Sequence, residues 1–210
     1  MNPKDIVRTG YDKVSYAYRR DEDIAVVAEY SPWIQDLTQL LPVSAQVLDL
    51  GCGCGFPAAK RLAEQFDVVG VDFSPVQIER AKVLVPDATF LCEDMTTLNF
   101  PSSVFDAVVS FYAVIHLPLE EQPSLFARIF TWLKPGGYFM ATVGHAAWTG
   151  TEADWLEVEG AEMFWSHTDT ATYQQWLQQA GFRILWTRFI PEGVSGHTLV
   201  LSQAMDAARG

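Results

Sequence analysis

Positive charge is scarce in this chain, and that scarcity excludes one large class of partners. Its 210 residues include 14 Lys and Arg against 26 Asp and Glu, which gives a formal net charge of -12 at pH 7. Because such a surface repels phosphate backbones, we predict no nucleic-acid partner. The negative electrostatic field of this surface would attract a cationic ligand, although an acidic surface more often serves only solubility.

Cysteine and long apolar runs are scarce as well. Cys52, Cys54 and Cys92 are too few for a disulfide framework, so we predict reduced thiols. A metal at the Cys-x-Cys pair would need further ligands nearby, and packing explains the pair better, so we predict no metal. No segment is long and apolar enough to cross a bilayer, and the amino terminus lacks a secretory pattern. We predict a cytoplasmic protein without a membrane partner and leave its oligomeric state open.

A glycine-rich turn between Val47 and Pro57 organises the rest of the chain. Apolar residues at 47, 48 and 50 predict a parallel strand that is covered on both faces. Gly51, Gly53 and Gly55 follow, and they allow the backbone to approach a ligand closely. The alternative is an ordinary strand-to-helix turn that binds nothing.

Strands and helices alternate through the middle of the chain. Apolar runs at 67–72, 88–92, 104–112 and 138–143 predict further strands, with helical segments between them. This alternation predicts an α/β fold with a parallel sheet and right-handed crossovers. Segments 182–190 and 197–202 predict two last strands joined by a turn, which is typical of an antiparallel pair.

The flanking segments are predicted from their spacing. Residues 2–20 predict an amphipathic helix in which Tyr11 and Tyr18 share a face, as in either a core-packed helix or a lid over a pocket. Ser31 and Pro32 predict the start of a second helix. From 145 to 167 periodicity fails, and we predict a long functional loop rich in aromatic residues.

Acids stand at the carboxyl ends of three predicted strands, and they define a crevice. Asp49, Asp72 and Asp94 converge there, because open parallel sheets bind ligands beyond those ends. Asp72 is placed to accept hydrogen bonds from ribose hydroxyls, which predicts a nucleoside. A dinucleotide is the alternative, but the alternating glycines depart from G-x-G-x-x-G and Asp49 would repel a diphosphate. A nucleoside with a positive charge fits better, and that description predicts S-adenosylmethionine.

With these motifs in place, the sequence resembles a class I S-adenosylmethionine-dependent methyltransferase of the small-molecule type. The matching segments are 47–55, 68–72, 92–95, 105–116 and 133–137, together with the Tyr-Asp pattern at 10–18. The resemblance implies a Rossmann-like three-layer sandwich whose seven-stranded, mostly parallel sheet has an antiparallel carboxyl-terminal strand. It implies one domain over 1–210, divided into a helical cap (1–42), a cofactor-binding core (43–143), a substrate loop (144–168) and a final helix with a β-hairpin (169–202).

The resemblance also implies roles for single residues. Asp49 would steer the ammonium group of S-adenosylmethionine, Asp72 would hold its ribose, and Asp94 would bind the adenine amino group. The implied cofactor-binding set is Tyr11, Asp49, Gly51, Cys52, Gly53, Asp72, Phe73, Asp94, Met95 and Phe111. Cys54 departs from the Ser, Thr or Pro more usual at its position, with little consequence because backbone amides make most contacts there.

Methyl transfer is an in-line displacement that needs no nucleophilic residue of the protein. A base matters only for a protonated acceptor, and we predict His116 or His167 as a base or as a residue that orients the acceptor. The predicted acceptor pocket consists of Tyr18, His116, His145, Trp148 and Trp165. The tryptophans at 148, 155 and 165 would either stack on the acceptor or fix the loop to the domain.

The predicted function is therefore methyl transfer from S-adenosylmethionine to an oxygen, nitrogen or sulfur atom of a small metabolite. One alternative is a protein methyltransferase. A second is a non-catalytic module that binds the cofactor for sensing or assembly. The identity of the acceptor stays open.

Overall fold

A seven-stranded sheet forms the centre of the computed structural model, which describes residues 2–21 and 24–205. The strands of the described residues are β1 (Gln46–Leu50), β2 (Asp67–Asp72), β3 (Thr89–Cys92), β4 (Phe105–Ser110), β5 (Leu133–Gly144), β6 (Trp148–Glu152), β7 (Met163–His167), β8 (Phe182–Glu192) and β9 (Ser195–Ala204). The sheet has the order β3-β2-β1-β4-β5-β9-β8, in which β1 to β5 are parallel and β9 is antiparallel to both its neighbours. The predicted mostly parallel sheet with an antiparallel carboxyl-terminal strand is confirmed.

Helices cover both faces of this sheet. They are α1 (Pro3–Tyr18), α2 (Ile24–Thr38), α3 (Ala58–Leu62), α4 (Pro75–Leu84), α5 (Gln122–Trp132) and α6 (Thr170–Ala180). One apolar cluster joins α2, α3 and α4 to the sheet through residues such as Leu37, Leu62 and Ile78. A second cluster joins α5 and α6 to the other face through Phe126 and Leu177. The three-layer sandwich is therefore confirmed as well.

The crevice lies where the strand order reverses, between β1 and β4. The chain continues from β1 towards one edge of the sheet and from β4 towards the other edge, so a cleft opens between them beyond their carboxyl ends. The turn after β1 passes close under the segment that follows β4. Gly51 there has φ 74°, and a Cβ on it would lie 2.2 Å from the Cβ of Ala113. Glycine is therefore required at position 51 both by the backbone conformation and by the space available.

Helix α1 lies across the open side of the crevice and is held at both ends. Near its start, Lys4 Nζ is 3.1 Å from Asp94 Oδ2 and 3.0 Å from Glu121 Oε2. Near its end, the buried Arg80 donates to the carbonyl oxygen of Ser15 over 2.6 Å. The helix thus covers the crevice in the way that a lid would, while its Val7 and Val14 are buried.

The predicted helix start at Ser31 is wrong. Helix α2 begins before it and continues through Pro32. Ser31 does not cap the helix, because its Oγ donates to the carbonyl oxygen of Val27 over 2.6 Å. Tyr30 and Trp33 are both buried in the first apolar cluster, and this packing stabilises the turns on either side of the proline. Tertiary contacts outweigh the local signal here.

The predicted loop at 145–167 has secondary structure of its own. Strands β6 and β7 pair antiparallel in a separate two-stranded sheet, with a short 3-10 helix at Trp155–Glu157 between them. The hairpin packs on α1, where a Cβ on Gly10 would lie 2.4 Å from the carbonyl oxygen of Glu162. Strand β6 is only five residues long and is exposed along nearly its whole length, so its sequence carries little apolar periodicity.

Ser74 connects the sheet side of the crevice to α1, and its loss should destabilise the fold. It caps α4 by accepting from Gln77 N over 3.1 Å, and it donates to Asp12 Oδ1 over 2.5 Å. We expect Ser74→Ala to lower the free energy of unfolding by about 1–2 kcal/mol, because a cap and a buried hydrogen bond are both lost. Urea denaturation measures this change. Ser102→Ala, on an exposed turn, is the control and should leave the midpoint unchanged.

Candidate active site

A cavity occupies the crevice under α1. Every residue of the predicted cofactor-binding set lines it, from Tyr11 on α1 to Phe111 after β4. The structure thus brings into one cavity residues that the sequence separates by up to a hundred positions. Their individual contacts with a cofactor stay predictions.

Asp49 is the least compensated charge in this cavity. Its side chain is 2% exposed, and its Oδ2 has no hydrogen-bond partner among the described residues. Burial, together with the nearby charge of Asp72, raises the pKa of Asp49 to about 7. A buried carboxylate of this kind costs free energy until a cation or a donor reaches it. The orphaned oxygen therefore fits the ammonium group of an amino-acid ligand.

Asp72 holds the glycine turn in place. Its Oδ1 accepts from Ser74 N over 2.9 Å, and its Oδ2 accepts from Gly53 N over 3.0 Å. Burial raises the pKa of Asp72 to about 6, although the two backbone donors oppose the rise. Each oxygen keeps a further lone pair, so the carboxylate still has the capacity to accept from two ribose hydroxyls.

Asp94 lies at the opposite end of the same cavity and is already engaged. Its Oδ1 accepts from Thr96 N over 2.8 Å, and its Oδ2 forms the ion pair with Lys4. Burial favours the neutral acid, but the hydrogen bonds from Thr96 and Lys4 outweigh it and lower the pKa of Asp94. An adenine amino group would meet an ionised acceptor here, beside Met95.

A second cavity adjoins the first. The two share Tyr11, Tyr18, Arg19, Tyr112 and His116, so they meet at these side chains. Of the predicted acceptor residues, the second cavity contains Tyr18, His116 and Trp165. It also contains Trp155, one of the tryptophans predicted either to stack on the acceptor or to fix the loop, and residues that the prediction omitted, among them Arg19, Glu29, Tyr112, Glu192 and His197.

His116 is a neutral hydrogen-bonding residue in this arrangement. Its Nδ1 lies 2.7 Å from the carbonyl oxygen of Phe164, which can only accept, so Nδ1 carries the hydrogen. Its Nε2 then accepts from the hydroxyl of Tyr11 over 3.0 Å. Burial lowers the pKa of His116 to about 4. The imidazole fixes Tyr11 at the junction of the two cavities, which fits an orienting residue better than a free base.

The other predicted acceptor residues lie outside both of these cavities. His167 Nδ1 lies 2.7 Å from the carbonyl oxygen of Ala146, and burial lowers the pKa of His167. His145 is exposed and packs on Phe189, with ring centroids 4.5 Å apart. Trp148 is 48% exposed and packs on the outer side of Trp165. His167 nevertheless lies beside the second cavity, because its ring centroid is 6.0 Å from that of His197, which lines the cavity.

Several of the omitted residues left weak signals in the sequence. Tyr30 and Tyr112 occupy sequence positions at which the spacing of apolar residues predicts a core residue. Glu192 and His197 flank the turn between β8 and β9, which strand order brings to the crevice although it lies far along the chain. Arg19 directly follows α1 and precedes a second arginine, a pattern that does not mark a cavity residue. Only the fold shows that these positions are neighbours.

The sheet order and the crevice are those of a Rossmann-like α/β domain with the methyltransferase fold. Residues 47–137, which are less than half of the chain, match the family model described as a methyltransferase domain.

Known relatives share the core of the chain and differ outside it. Phosphoethanolamine N-methyltransferase 1 from Arabidopsis thaliana is 35% identical over 143 residues, which are 65% of this chain and 28% of that protein. The chain therefore spans under a third of this relative's length. Magnesium protoporphyrin IX methyltransferase from Synechocystis PCC 6803, solved with S-adenosylhomocysteine, superposes with a TM-score of 0.72 at 16% identity over 96% of this chain and 99% of that one. A cyclase, SpnF, superposes with a TM-score of 0.74 at 18% identity over 95% of each chain. These two likenesses show the fold alone.

The buried carboxylate of Asp49 predicts a specific pH dependence of stability without ligand. Because its pKa lies above the ordinary value of 3.8, its ionisation destabilises the folded state increasingly between about pH 4 and pH 7. The stability of Asp49→Asn relative to the original protein should therefore grow by roughly 2–4 kcal/mol from pH 4 to pH 8. Urea unfolding across this range measures it. Asp87→Asn, at an exposed site, is the control, and a pH-independent difference for Asp49→Asn would contradict the expectation.

Proposed function

We propose that this chain binds S-adenosylmethionine in the first cavity and catalyses transfer of its methyl group to an oxygen, nitrogen or sulfur atom of a small molecule in the second. The observation that carries the proposal is the buried, unpartnered Oδ2 of Asp49 beside the glycine turn. A cationic ligand end would satisfy this oxygen, whereas a diphosphate would be repelled by it.

The proposed donor site uses acids at three strand ends. Asp49 binds the ammonium group, Asp72 accepts from the ribose hydroxyls, and Asp94 accepts from the adenine amino group. Phe73 and Met95 pack against the adenine ring, and Gly51, Cys52 and Gly53 provide the backbone of the turn. When bound, the donor supplies a methyl carbon that is already activated by positively charged sulfur.

The chain's own contribution to the transfer is alignment and exclusion of water. Tyr11 lines both cavities and is fixed by His116, so it lies where donor and acceptor would meet. Trp155 packs against Tyr11 and Tyr18, with ring centroids 5.7 and 5.4 Å apart. These rings shield the junction, and α1 would have to move for the donor to enter.

The proposal extends to the division of the chain. Residues 1–42 act as a cap, 43–143 bind the cofactor, 144–168 form one wall of the acceptor site, and 169–202 complete the sheet. The described residues contain no helix that could span a membrane. Three free thiols fit a reducing compartment such as the cytoplasm. The net charge of -12 disfavours a nucleic-acid acceptor.

The cofactor part of the proposal predicts ligand-induced stabilisation. At about 100 times its Kd, S-adenosylhomocysteine should raise the Tm by roughly 5–10 °C, because it binds only the folded state. Asp72→Ala should abolish the shift, since the ribose acceptor and the anchor of the glycine turn are both removed. Differential scanning fluorimetry measures it, with the Tm of each variant without ligand as its reference.

Asp67→Ala is the matched control for this experiment. Asp67 lies at the exposed start of β2, at the opposite end of the strand from Asp72, and its variant should keep the full shift. No stabilisation of the original protein by S-adenosylmethionine or S-adenosylhomocysteine would refute the cofactor proposal. The transfer step has its own test, in which methyl-labelled donor is incubated with a metabolite mixture and label is followed by mass spectrometry. Cofactor binding without any labelled product across broad mixtures would favour a non-catalytic module.

A further inference from the structure

Arg19 lies at the junction of the two cavities, and its hydrogen bonds among the described residues go only to uncharged groups, although its charge contributes to the lowered pKa of Glu192. Its guanidinium donates to the hydroxyls of Tyr18 and Tyr30 over 3.2 and 3.3 Å, and to the carbonyl oxygen of Tyr18 over 3.2 Å. The guanidinium carbon is 4.0 Å from the centroid of the Tyr18 ring. No aspartate or glutamate in the described ranges 2–21 and 24–205 forms an ion pair with it.

Other arginines of the chain show what a paired guanidinium looks like in this fold. Arg80, which is buried, lies 2.6 Å from Asp21 Oδ1, and the exposed Arg188 lies 3.1 Å from Asp36 Oδ2. Carboxylates outnumber cationic side chains in this chain. An arginine that lines a cavity but forms no ion pair with a carboxylate therefore needs an explanation. Phenol and carbonyl oxygens compensate a buried charge only in part.

The acids of the second cavity lie close to groups other than Arg19. Glu29 Oε1 accepts from the hydroxyl of Tyr112 over 3.2 Å. Glu192 Oε1 lies 3.2 Å from His197 Nδ1. Arg19 therefore keeps donors free, because a guanidinium has five N–H groups and its bonds here use fewer. Both cavities are open to it, so a ligand in either one can supply the missing anion.

We propose that Arg19, with the hydroxyls of Tyr18 and Tyr30, forms a binding subsite for a small oxyanion at the junction of the two cavities. The subsite takes a carboxylate or phosphate group by charge-assisted hydrogen bonds from the guanidinium and further bonds from the phenols. The inference rests on the proposed function for the identity of its ligand, which is either the amino-acid carboxylate of the donor or an anionic group of the acceptor.

The first arm of the test asks whether the donor supplies the anion. Binding of S-adenosylhomocysteine and of 5′-methylthioadenosine, which lacks the amino-acid part, is measured by calorimetry for the original protein, Arg19→Gln and Arg20→Gln. If the donor carboxylate binds, Arg19→Gln weakens S-adenosylhomocysteine about 10- to 100-fold and leaves methylthioadenosine unchanged. Arg20→Gln, at the exposed neighbouring position, should bind both like the original protein.

The second arm asks whether the acceptor supplies the anion. Inorganic phosphate and sodium acetate are titrated with and without saturating S-adenosylhomocysteine, and the Tm is followed against sodium chloride of equal ionic strength. An acceptor subsite predicts stabilisation by phosphate or acetate in the presence of S-adenosylhomocysteine, and its loss in Arg19→Gln but not in Arg20→Gln. S-Adenosylhomocysteine affinity should then change less than twofold.

The inference is overturned if Arg19→Gln changes neither nucleoside affinity nor anion stabilisation. Failure of S-adenosylhomocysteine to bind the original protein would instead count against the proposed function, and the anion titrations without nucleoside would still decide on the subsite. Tyr30→Phe keeps the cation but removes one phenol. It should weaken the same ligand by about 3- to 10-fold, and it decides the question if Arg19→Gln does not fold.

Discussion

The carboxylate of Asp49, buried with one oxygen unpaired, is the constraint on which the rest of the crevice depends. It sits on β1 at the point where the strand order reverses, so its side chain is enclosed by the glycine turn rather than by water. Asp72, at the end of the next strand, raises its pKa further while anchoring the same turn. Burial of two neighbouring acids destabilises the free protein when both are ionised. Under the proposed function, a cationic nucleoside would relieve that cost.

Helix α1 is held over this crevice by polar contacts as well as by its buried Val7 and Val14. Lys4 binds Asp94 at one end of α1, Arg80 binds the other end, and Tyr11 reaches His116 between them. Polar contacts of this kind can be exchanged for water one at a time, which suits a helix that has to open. Because Lys4 occupies an oxygen of Asp94, entry of an adenine amino group would alter the contact that holds the start of α1.

Much of the donor side could be predicted because its signals are local. The apolar runs that lead to Asp49 and Asp72 predict both the strands and the acids near their ends. The two acids are then expected in one crevice, because open parallel sheets bind ligands beyond the carboxyl ends of their strands. The acceptor side is formed by α1, the β6–β7 hairpin and the β8–β9 turn, which meet only in the folded chain. His145 and His167 were predicted there because a loop was expected, and in the folded chain neither of them lines the cavity. Pro32 shows the same limit, since packing around Tyr30 carries α2 through a residue that locally signals a boundary. Arg19 stands out because no carboxylate forms an ion pair with it among the described residues, and no sequence pattern could have shown this.

The most direct test of the donor site is a calorimetric competition between S-adenosylmethionine and NAD at pH 8, repeated at pH 5.5. Ionised Asp49 should favour the cationic nucleoside and exclude the diphosphate, so S-adenosylmethionine should bind at pH 8 while NAD gives no heat and does not compete. Protonation of Asp49 should weaken S-adenosylmethionine at pH 5.5. Binding of NAD at the same site, or an S-adenosylmethionine affinity that does not change between the two pH values, would contradict the role assigned to Asp49.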